Sequence, residues 1–305
     1  MFIRSLVMRT TSASNRILSI KKPMSKRKRS TKTVEKVEEV EFKEESIRGP
    51  FPQVETKDIE DICKETLGTS AICELPPNIA EHINFIEEMR KTADAPVDTM
   101  GCHMLADSSA DPKTYRFQIL VALMLSSQTK DQVTAAAMQR LRAHGCTLDS
   151  IISLPTDQLQ TLLCPVGFYK RKAEYLQKTA LLLKEKYDSD IPDTLVGLCG
   201  LPGVGPKMAH LALQIAFNKT EGIGVDTHVH RIANRLKWVK TNSPEQTEAK
   251  LKEILPKAYW STVNKLLVGF GQQICTPVRP KCGDCLNMKA CPWSDKKLYI
   301  HKVEK

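Results

Sequence analysis

The sequence lacks a long apolar run and is poor in two large aromatic residues, with three tryptophans and six tyrosines among 305 residues. Its longest clear apolar run, Ile119 to Leu125, is far shorter than the roughly 20 residues that a membrane-spanning helix needs. Alternating β-branched residues are rare, whereas leucine and alanine recur at helical intervals. These features exclude a membrane span and predict an all-α protein, and the chain is long enough to bury a sizeable core.

Acidic side chains are absent from residues 1–34, and this absence accounts for the whole net charge of +10. That segment holds ten of the 45 lysines and arginines, which leaves 35 basic and 35 acidic side chains in residues 35–305. The rest of the chain is therefore neutral overall. Any affinity for nucleic acid must come from a local basic patch and not from bulk charge.

Residues 1–75 are predicted to be a disordered region that carries targeting signals. The first twenty or so residues are rich in arginine and serine and free of acids, which is typical of a mitochondrial transit peptide. The basic run from Lys21 to Arg29 suits nuclear import, and a solvated charged tail explains it equally well. Initiation at Met24 would discard the transit peptide and keep the basic run. We therefore expect the protein in the nucleus and the mitochondrion, with residues 31–76 as a charged linker.

Beyond this region the sequence predicts helices in close succession and neither a convincing strand nor a repeat. The first has Ile79, Ile83, Ile86 and Met89 on one face. The remaining predicted helices are Phe117–Ser126, Asp131–His144, Thr156–Leu163, Lys170–Lys186, Leu195–Cys199, Pro206–Phe217, Thr227–Leu236, Pro244–Leu255 and Tyr259–Gly269.

A glycine turn, Leu201-Pro-Gly-Val-Gly-Pro-Lys207, connects two of these helices. Gly203 and Gly205 permit backbone angles that a β-carbon would forbid, and Pro206 suits a first helical position. Outward-pointing amides beside a helix N-terminus form a site for one phosphate. An ordinary helix–helix turn explains the motif equally well when it is taken alone, but the other motifs favour DNA.

Lys207 lies in the first turn of the helix that follows, where a charged ammonium is electrostatically disfavoured. The neutral amine is the nucleophilic form, so Lys207 is a candidate nucleophile, although most lysines at helix starts are simply solvated. The helix is predicted to bury Met208, Leu211, Ala212 and Ile215. Lys207, His210 and Gln214 are predicted to lie on another face.

Asp226 directly precedes a predicted helix in the segment Val225-Asp-Thr-His. Its ordinary role is that of an N-cap, and its catalytic role would be a carboxylate that faces Lys207. The two roles are compatible because capping fixes the position of the side chain. His228 and His230 are interpreted as structural, since a lone H-x-H is a weak metal signal.

Cysteine is abundant, with ten residues in two groups. Six are scattered, as expected of thiols in a reducing compartment: Cys63, Cys73, Cys102, Cys146, Cys164 and Cys199. The spacing C-x6-C-x2-C-x5-C of the other four predicts a metal-binding loop: Cys275, Cys282, Cys285 and Cys291. This spacing leaves zinc and a [4Fe–4S] cluster open. Arg279 and Lys281 lie in the first loop and form a candidate phosphate-binding patch.

The motifs L-P-G-V-G-P-K, V-D-T-H and the four-cysteine spacing, in this order, resemble the endonuclease III family of DNA glycosylases in its eukaryotic form. The resemblance runs from about Pro76 to Trp293. It implies a six-helix domain with a helix-hairpin-helix motif at 109–221. A second helical domain, formed by 76–108 and 222–305, would carry a [4Fe–4S] cluster held by the four clustered cysteines.

The resemblance also implies an activity, namely excision of oxidised pyrimidines such as thymine glycol from double-stranded DNA in base excision repair. Lys207 would attack C1′ and form a Schiff base, and β-elimination would then cut the strand 3′ to the abasic site. Asp226 would stabilise the sugar cation and help to activate the amine. Gln128, expected at a helix start, and Phe168, expected at a loop tip, would fill the gap left by the flipped base. A core aromatic is the alternative for Phe168.

The same resemblance implies a monomer, with downstream repair proteins as further candidate partners. Adenine glycosylases lack the lysine and carry a further C-terminal domain, whereas only fourteen residues follow Cys291 here. The 8-oxoguanine glycosylases have the lysine but no cysteine cluster. The alternatives that remain are a monofunctional glycosylase, a non-catalytic DNA-binding module and, more distantly, a zinc-binding transcription regulator.

Overall fold

The computed structural model describes residues 75–300, and over this range the chain is helical with no strand. This confirms the predicted all-α class. Short 3-10 turns lie between several of the helices. The helices are α1 Pro77–Met89, α2 Pro96–Met100, α3 Pro112–Ser126, α4 Asp131–His144, α5 Leu148–Ser153, α6 Thr156–Leu163, α7 Tyr169–Lys186, α8 Leu195–Cys199, α9 Pro206–Phe217, α10 Thr227–Arg235, α11 Pro244–Ile254, α12 Val263–Gln273 and α13 Lys297–Ile300.

Local sequence signals start many of these helices. A side-chain oxygen accepts a backbone N–H at the starts of α3, α5, α8, α10 and α11, which supplies a partner that the first turn otherwise lacks. These capping residues are Asp111, Thr147, Thr194, Asp226 and Ser243. Proline stands at the first position of α1, α2, α3, α9 and α11, where its missing N–H costs nothing.

Two clusters of buried apolar side chains hold the described residues together. The first surrounds α3, whose residues Phe117–Leu125 are all buried. The second joins α1 to α10, α11 and α12, and it includes Ile83, Ile232 and Phe270. Leu105 belongs to the segment 76–108 that was predicted to join the second domain, but it packs in the first cluster. The predicted boundaries at 109–221, 76–108 and 222–305 stay a prediction.

Helix α12 corrects one prediction, because it begins four residues later than expected and continues past Gly269. A 3-10 turn at Lys257–Tyr259 occupies the predicted start. Gly269 lies inside the helix, where the guanidinium of Arg90 occupies the position that a β-carbon would take. The short helices α2, α5 and α13 were not predicted from the sequence.

The predicted N-terminal signals, including the transit peptide, the basic run, Met24 and nearly all of the linker, lie outside the described residues. Within residues 75–300, no helix combines the length and apolar character needed to cross a bilayer.

Candidate functional site

A cleft of about 1350 Å³ receives side chains from both apolar clusters. Its lining includes residues of α2, the loop between α3 and α4, α9, the start of α10, and α12. Three of the predicted site residues lie on its wall, namely Gln128, Lys207 and Asp226. The fold thus brings together residues that are far apart in the sequence.

The glycine hairpin before α9 is positioned by α7. Gly203 has φ +81°, and a β-carbon there would lie 2.6 Å from the ring of Tyr175. Thr179 donates a hydrogen bond from Oγ1 to the carbonyl of Pro202 at 3.3 Å. Gly203 is therefore required by both its backbone angle and its close packing.

Gly205 differs from Gly203, because its backbone angles are not ones that a β-carbon would forbid, and that part of the prediction was wrong. Its φ is −107°, which any residue adopts, and no protein atom lies within 4 Å of its β-carbon position. It forms the N-cap of α9 directly before Pro206. The hairpin itself therefore does not require a glycine at this position, where a side chain would point into open space.

Lys207 is half-buried in the first turn of α9. The predicted orientation of this helix was wrong in part, because its buried residues are Ala209, His210, Ala212 and Leu213. Leu211 and Ile215 line the cleft together with Lys207 instead. Their spacing of four and eight residues from Lys207 places all three on one helical face. The lysine consequently shares its helical face with two apolar side chains.

Asp226 is held at the start of α10 as its N-cap. Its carboxylate Oδ1 accepts a hydrogen bond from the backbone N–H of Val229 at 2.8 Å. Asn264 supports the preceding segment through a bond of 2.5 Å from Nδ2 to the carbonyl of Gly224. The cap leaves the carboxylate on the cleft wall, where Lys207 also lies. The capping role and a role facing the lysine are compatible.

Two further cleft residues lie within the electrostatic reach of Lys207. Burial lowers the pKa of His228, and the carboxylate of Asp226 acts in the opposite direction. Burial raises the pKa of the Cys102 thiol, and the charge of Lys207 opposes this shift. Both side chains are accordingly neutral at pH 7, and the carboxylate of Asp131, which also lines the cleft, acts on both of them.

Gln128 and Phe168 lie on two adjacent exposed loops. Gln128 has φ +50° in the loop between α3 and α4, which corrects its expected place at a helix start. Phe168 has φ +56° directly before α7. Its side chain is 66% exposed, which rules out the core alternative. Both side chains are therefore exposed at the surface, Gln128 in a loop that lines the cleft and Phe168 in the adjacent loop.

The four clustered cysteines line one apolar cavity of about 30 Å³. Burial and the neighbouring cysteines raise the pKa of Cys282, and burial raises that of Cys285 to about 12. Arg235 donates to the Sγ of Cys275 at 3.4 Å and stacks on Trp293. Among the described side chains, no group of three or more histidine, cysteine, aspartate or glutamate residues is arranged to hold a metal ion.

The first loop of the cysteine segment extends from this cavity to the cleft. Thr276 and Pro277 line the cleft, and Arg279 and Lys281 are exposed further along the same loop. The exposure of the two cations agrees with the predicted outward patch. Lys281 also lines the cysteine cavity, and the binding of phosphate by the two cations stays a prediction.

Some residues of this region carry no recognisable sequence signal. His228 was interpreted only as structural, and Cys102 only as a scattered thiol, yet both line the cleft. Lys172 lies in a helix rich in charge and resembles a solvated lysine, but it is 7% exposed. A single residue that is not part of a spaced motif gives no sign in the sequence that it will line a cleft or be buried.

Comparison with known proteins adds independent observations. A family profile described as HhH-GPD superfamily base excision DNA repair protein matches residues 121–257. The chain is 54% identical to endonuclease III-like protein 1 of Mus musculus over 219 residues, which are 71% of this chain and 73% of that protein. The Gallus gallus protein of the same name shows the same identity, with 78% of its length covered.

Solved structures show the same fold. A trapped covalent intermediate of endonuclease III with DNA superposes with a TM-score of 0.63 and 28% sequence identity, covering 72% of this chain and 97% of that one. A non-covalent endonuclease III–DNA complex gives the same TM-score and identity, with 96% of its chain covered.

Proposed function

The chain belongs to the endonuclease III family of HhH-GPD base excision DNA repair proteins, and from this premise we propose its reaction and the residues that perform it. Membership confirms the enzyme class predicted from the sequence, a DNA glycosylase with AP lyase activity. We propose that it excises oxidised pyrimidines such as thymine glycol from double-stranded DNA and then cuts the strand 3′ to the abasic site. The observation that carries this proposal is the shared cleft of Lys207 and Asp226 beside the glycine hairpin.

Lys207 is the proposed nucleophile. Its neutral amine attacks C1′ of the damaged nucleotide, a C–N bond forms, and the glycosidic bond breaks with release of the base. The resulting sugar opens to a Schiff base on Lys207. Loss of a C2′ proton then breaks the bond between C3′ and its oxygen, which is β-elimination. The existence of a trapped covalent complex of endonuclease III with DNA supports a covalent route.

Asp226 is the proposed electrostatic partner. Positive charge develops on the sugar as the glycosidic bond breaks, and a fixed carboxylate on the cleft wall stabilises it. The cap to Val229 means that the carboxylate needs little reorganisation during the reaction. The same carboxylate helps to activate the amine of Lys207.

Gln128 and Phe168 are proposed to fill the space left when the damaged base leaves the helix. Unstacking a base costs a few kcal/mol, so an inserted side chain compensates for part of the lost stacking. The exposed ring of Phe168 and the exposed amide of Gln128 suit this role.

The hairpin is proposed to bind one backbone phosphate, and a glycine pair tests this. Gly203→Ala is expected to lower thermal stability and to weaken DNA affinity about tenfold, because the new methyl meets Tyr175 at a positive φ. Gly205→Ala should leave stability unchanged and still weaken binding, since its methyl meets no protein atom and occupies the phosphate space. Thermal unfolding and titration of a duplex measure both effects. Unchanged affinity in Gly205→Ala would contradict the phosphate site.

We propose that the four cysteines, which line one cavity and have the spacing that the family resemblance associates with a cluster, hold a [4Fe–4S] cluster. All four line one apolar cavity, and cysteine sulfur is the ligand that such a cluster takes. When bound, the cluster fixes the cysteine loop. That loop then presents Arg279 and Lys281 to the DNA backbone.

Cys285→Ser is expected to remove the cluster, so that iron and sulfide fall from about four each per chain and the visible absorbance is lost. Thermal stability should fall as well, because the metal organises the loop. Cys199→Ser, which alters an exposed cysteine outside the cavity, serves as the matched control. About one zinc per chain without iron would establish the zinc alternative.

Borohydride trapping on a duplex with one thymine glycol tests the proposed function directly. If the protein binds this duplex and forms no adduct, the alternative of a monofunctional glycosylase or a non-catalytic DNA-binding module becomes the better one. We further propose that the protein is a monomer. We also propose that it acts in the nucleus and the mitochondrion, and this second proposal rests only on the N-terminal sequence signals.

A further inference from the structure

Lys172 is a buried lysine on α7 whose ammonium is enclosed by oxygen atoms of a single segment. Its Nζ donates to the carbonyls of Leu125 and Ser127 at 2.8 and 2.6 Å, and to Oγ1 of Thr129 at 3.2 Å. A lysine ammonium has three N–H donors, and all three are used here. The acceptors span the end of α3 and the loop that carries Gln128.

The backbone of the same residue contacts the second loop. The N–H of Lys172 donates to the carbonyl of Phe168 at 3.0 Å. The two loops also touch directly, because the N–H of Gly167 donates to Oγ1 of Thr129 at 3.1 Å. A β-carbon on Gly167 would lie 2.6 Å from the carbonyl oxygen of Gln128. Lys172 therefore links the two segments at their closest approach.

Burying the ammonium of Lys172 costs free energy, which indicates that this lysine does more than fill space in the core. Lysine is almost never fully buried, and here its partners are neutral oxygens instead of a carboxylate. Burial lowers the pKa of Lys172 to about 8, so the ammonium is still the main form at pH 7. Gln128 and Phe168 both have positive φ, which a side chain disfavours and which surrounding contacts must maintain.

We propose that Lys172 is a positioning residue that fixes the Gln128 loop and the Phe168 loop relative to each other, so that both side chains enter the DNA helix as one rigid unit. This inference rests on the proposed function, in which these two side chains fill the space of the flipped base. Lys172 contacts no DNA in this role. It acts through the carbonyls and the hydroxyl that it holds.

The test compares Lys172→Met with native protein on two substrates under single turnover. One is a fully paired duplex with a thymine glycol, and the other carries the same lesion in an unpaired bubble. Rigid insertion matters most where unstacking is expensive, so the excision rate on the paired duplex should fall about tenfold or more. The rate on the bubble should fall less than about threefold. Fluorescence of 2-aminopurine beside the lesion should report less base opening.

The matched control is Lys178→Met, since Lys178 is an exposed lysine on the same helix. Thr129→Val is the second variant, because it removes one acceptor of Lys172 and the partner of Gly167 without leaving a charge change. Its excision rate should also fall more on the paired duplex than on the bubble, by a smaller factor than in Lys172→Met. This variant keeps the test valid if Lys172→Met does not fold.

Rates are normalised to the fraction of protein that borohydride traps on an abasic site. Equal losses on both substrates, or no loss on either, would overturn the positioning role and leave Lys172 as a stability residue. Native protein that excises from neither substrate would instead refute the proposed function. The two failures are thereby distinguished.

Discussion

Lys207→Gln is expected to abolish the borohydride-trapped adduct on a duplex containing one thymine glycol and to lower strand cleavage by a factor of about 10³ or more. The amide of glutamine is not nucleophilic, so neither the C–N bond at C1′ nor the Schiff base can form. The substitution keeps a flexible polar side chain, shorter and uncharged, in the first turn of α9. The thermal unfolding midpoint should therefore be nearly unchanged.

Lys130→Gln is the matched control for this result. Lys130 is an exposed lysine that lines the same cleft, and its replacement tests whether any cleft amine can form the adduct. Its adduct yield at saturating protein should equal that of the native enzyme. A persistent adduct in Lys207→Gln would show that another amine is the nucleophile, and peptide mapping of the adduct would identify it.

Asp226→Asn is expected to lower single-turnover excision by about 10² to 10³ while leaving thermal stability unchanged. Asparagine caps a helix about as well as aspartate, so the bond to the N–H of Val229 can be kept. The negative charge is lost, and with it the stabilisation of the developing sugar cation. The effect should therefore fall on excision without unfolding the site.

Asp226→Ala separates the two roles of this residue. It removes the charge and the cap together, so a loss of about 1 kcal/mol in the free energy of unfolding should accompany a similar loss of excision. Chemical denaturation and single-turnover kinetics measure the two quantities on the same preparations. Excision at the native rate in Asp226→Asn would show that the carboxylate acts only as the N-cap of α10.

The helices were predictable wherever local signals dominate. Asp131–His144, Thr156–Leu163 and Pro206–Phe217 were predicted with the bounds that are found, since apolar periodicity, the C-capping Gly145 and Pro206 act within a few residues. The start of α12 was missed because residues 257–259 form a 3-10 turn and the α-helix begins only at Val263. Gly269 lies inside the helix because the guanidinium of Arg90, from a distant part of the chain, leaves no room for a side chain there, and no local pattern shows this.

The orientation of α9 shows the limit of periodicity. Met208, Leu211 and Ile215 have a proper apolar spacing, but they are only half-buried, and Leu211 and Ile215 line the cleft. The side of a helix that is buried depends on the partners that cover it, and here the partner is α3, far away in sequence. Apolar side chains that line a cleft have the same spacing in the sequence as those of a core face.

The sequence by itself determined the elements and the chemistry available to this protein. The glycine hairpin, Lys207, Asp226 and the spacing of the four cysteines are local patterns whose residue types limit what they can do. Only the tertiary structure decided their relation, by placing Lys207 and Asp226 on one cleft and by enclosing Lys172 between two loops. Such contacts join residues that are distant in the chain, and they depend on packing that no short pattern encodes.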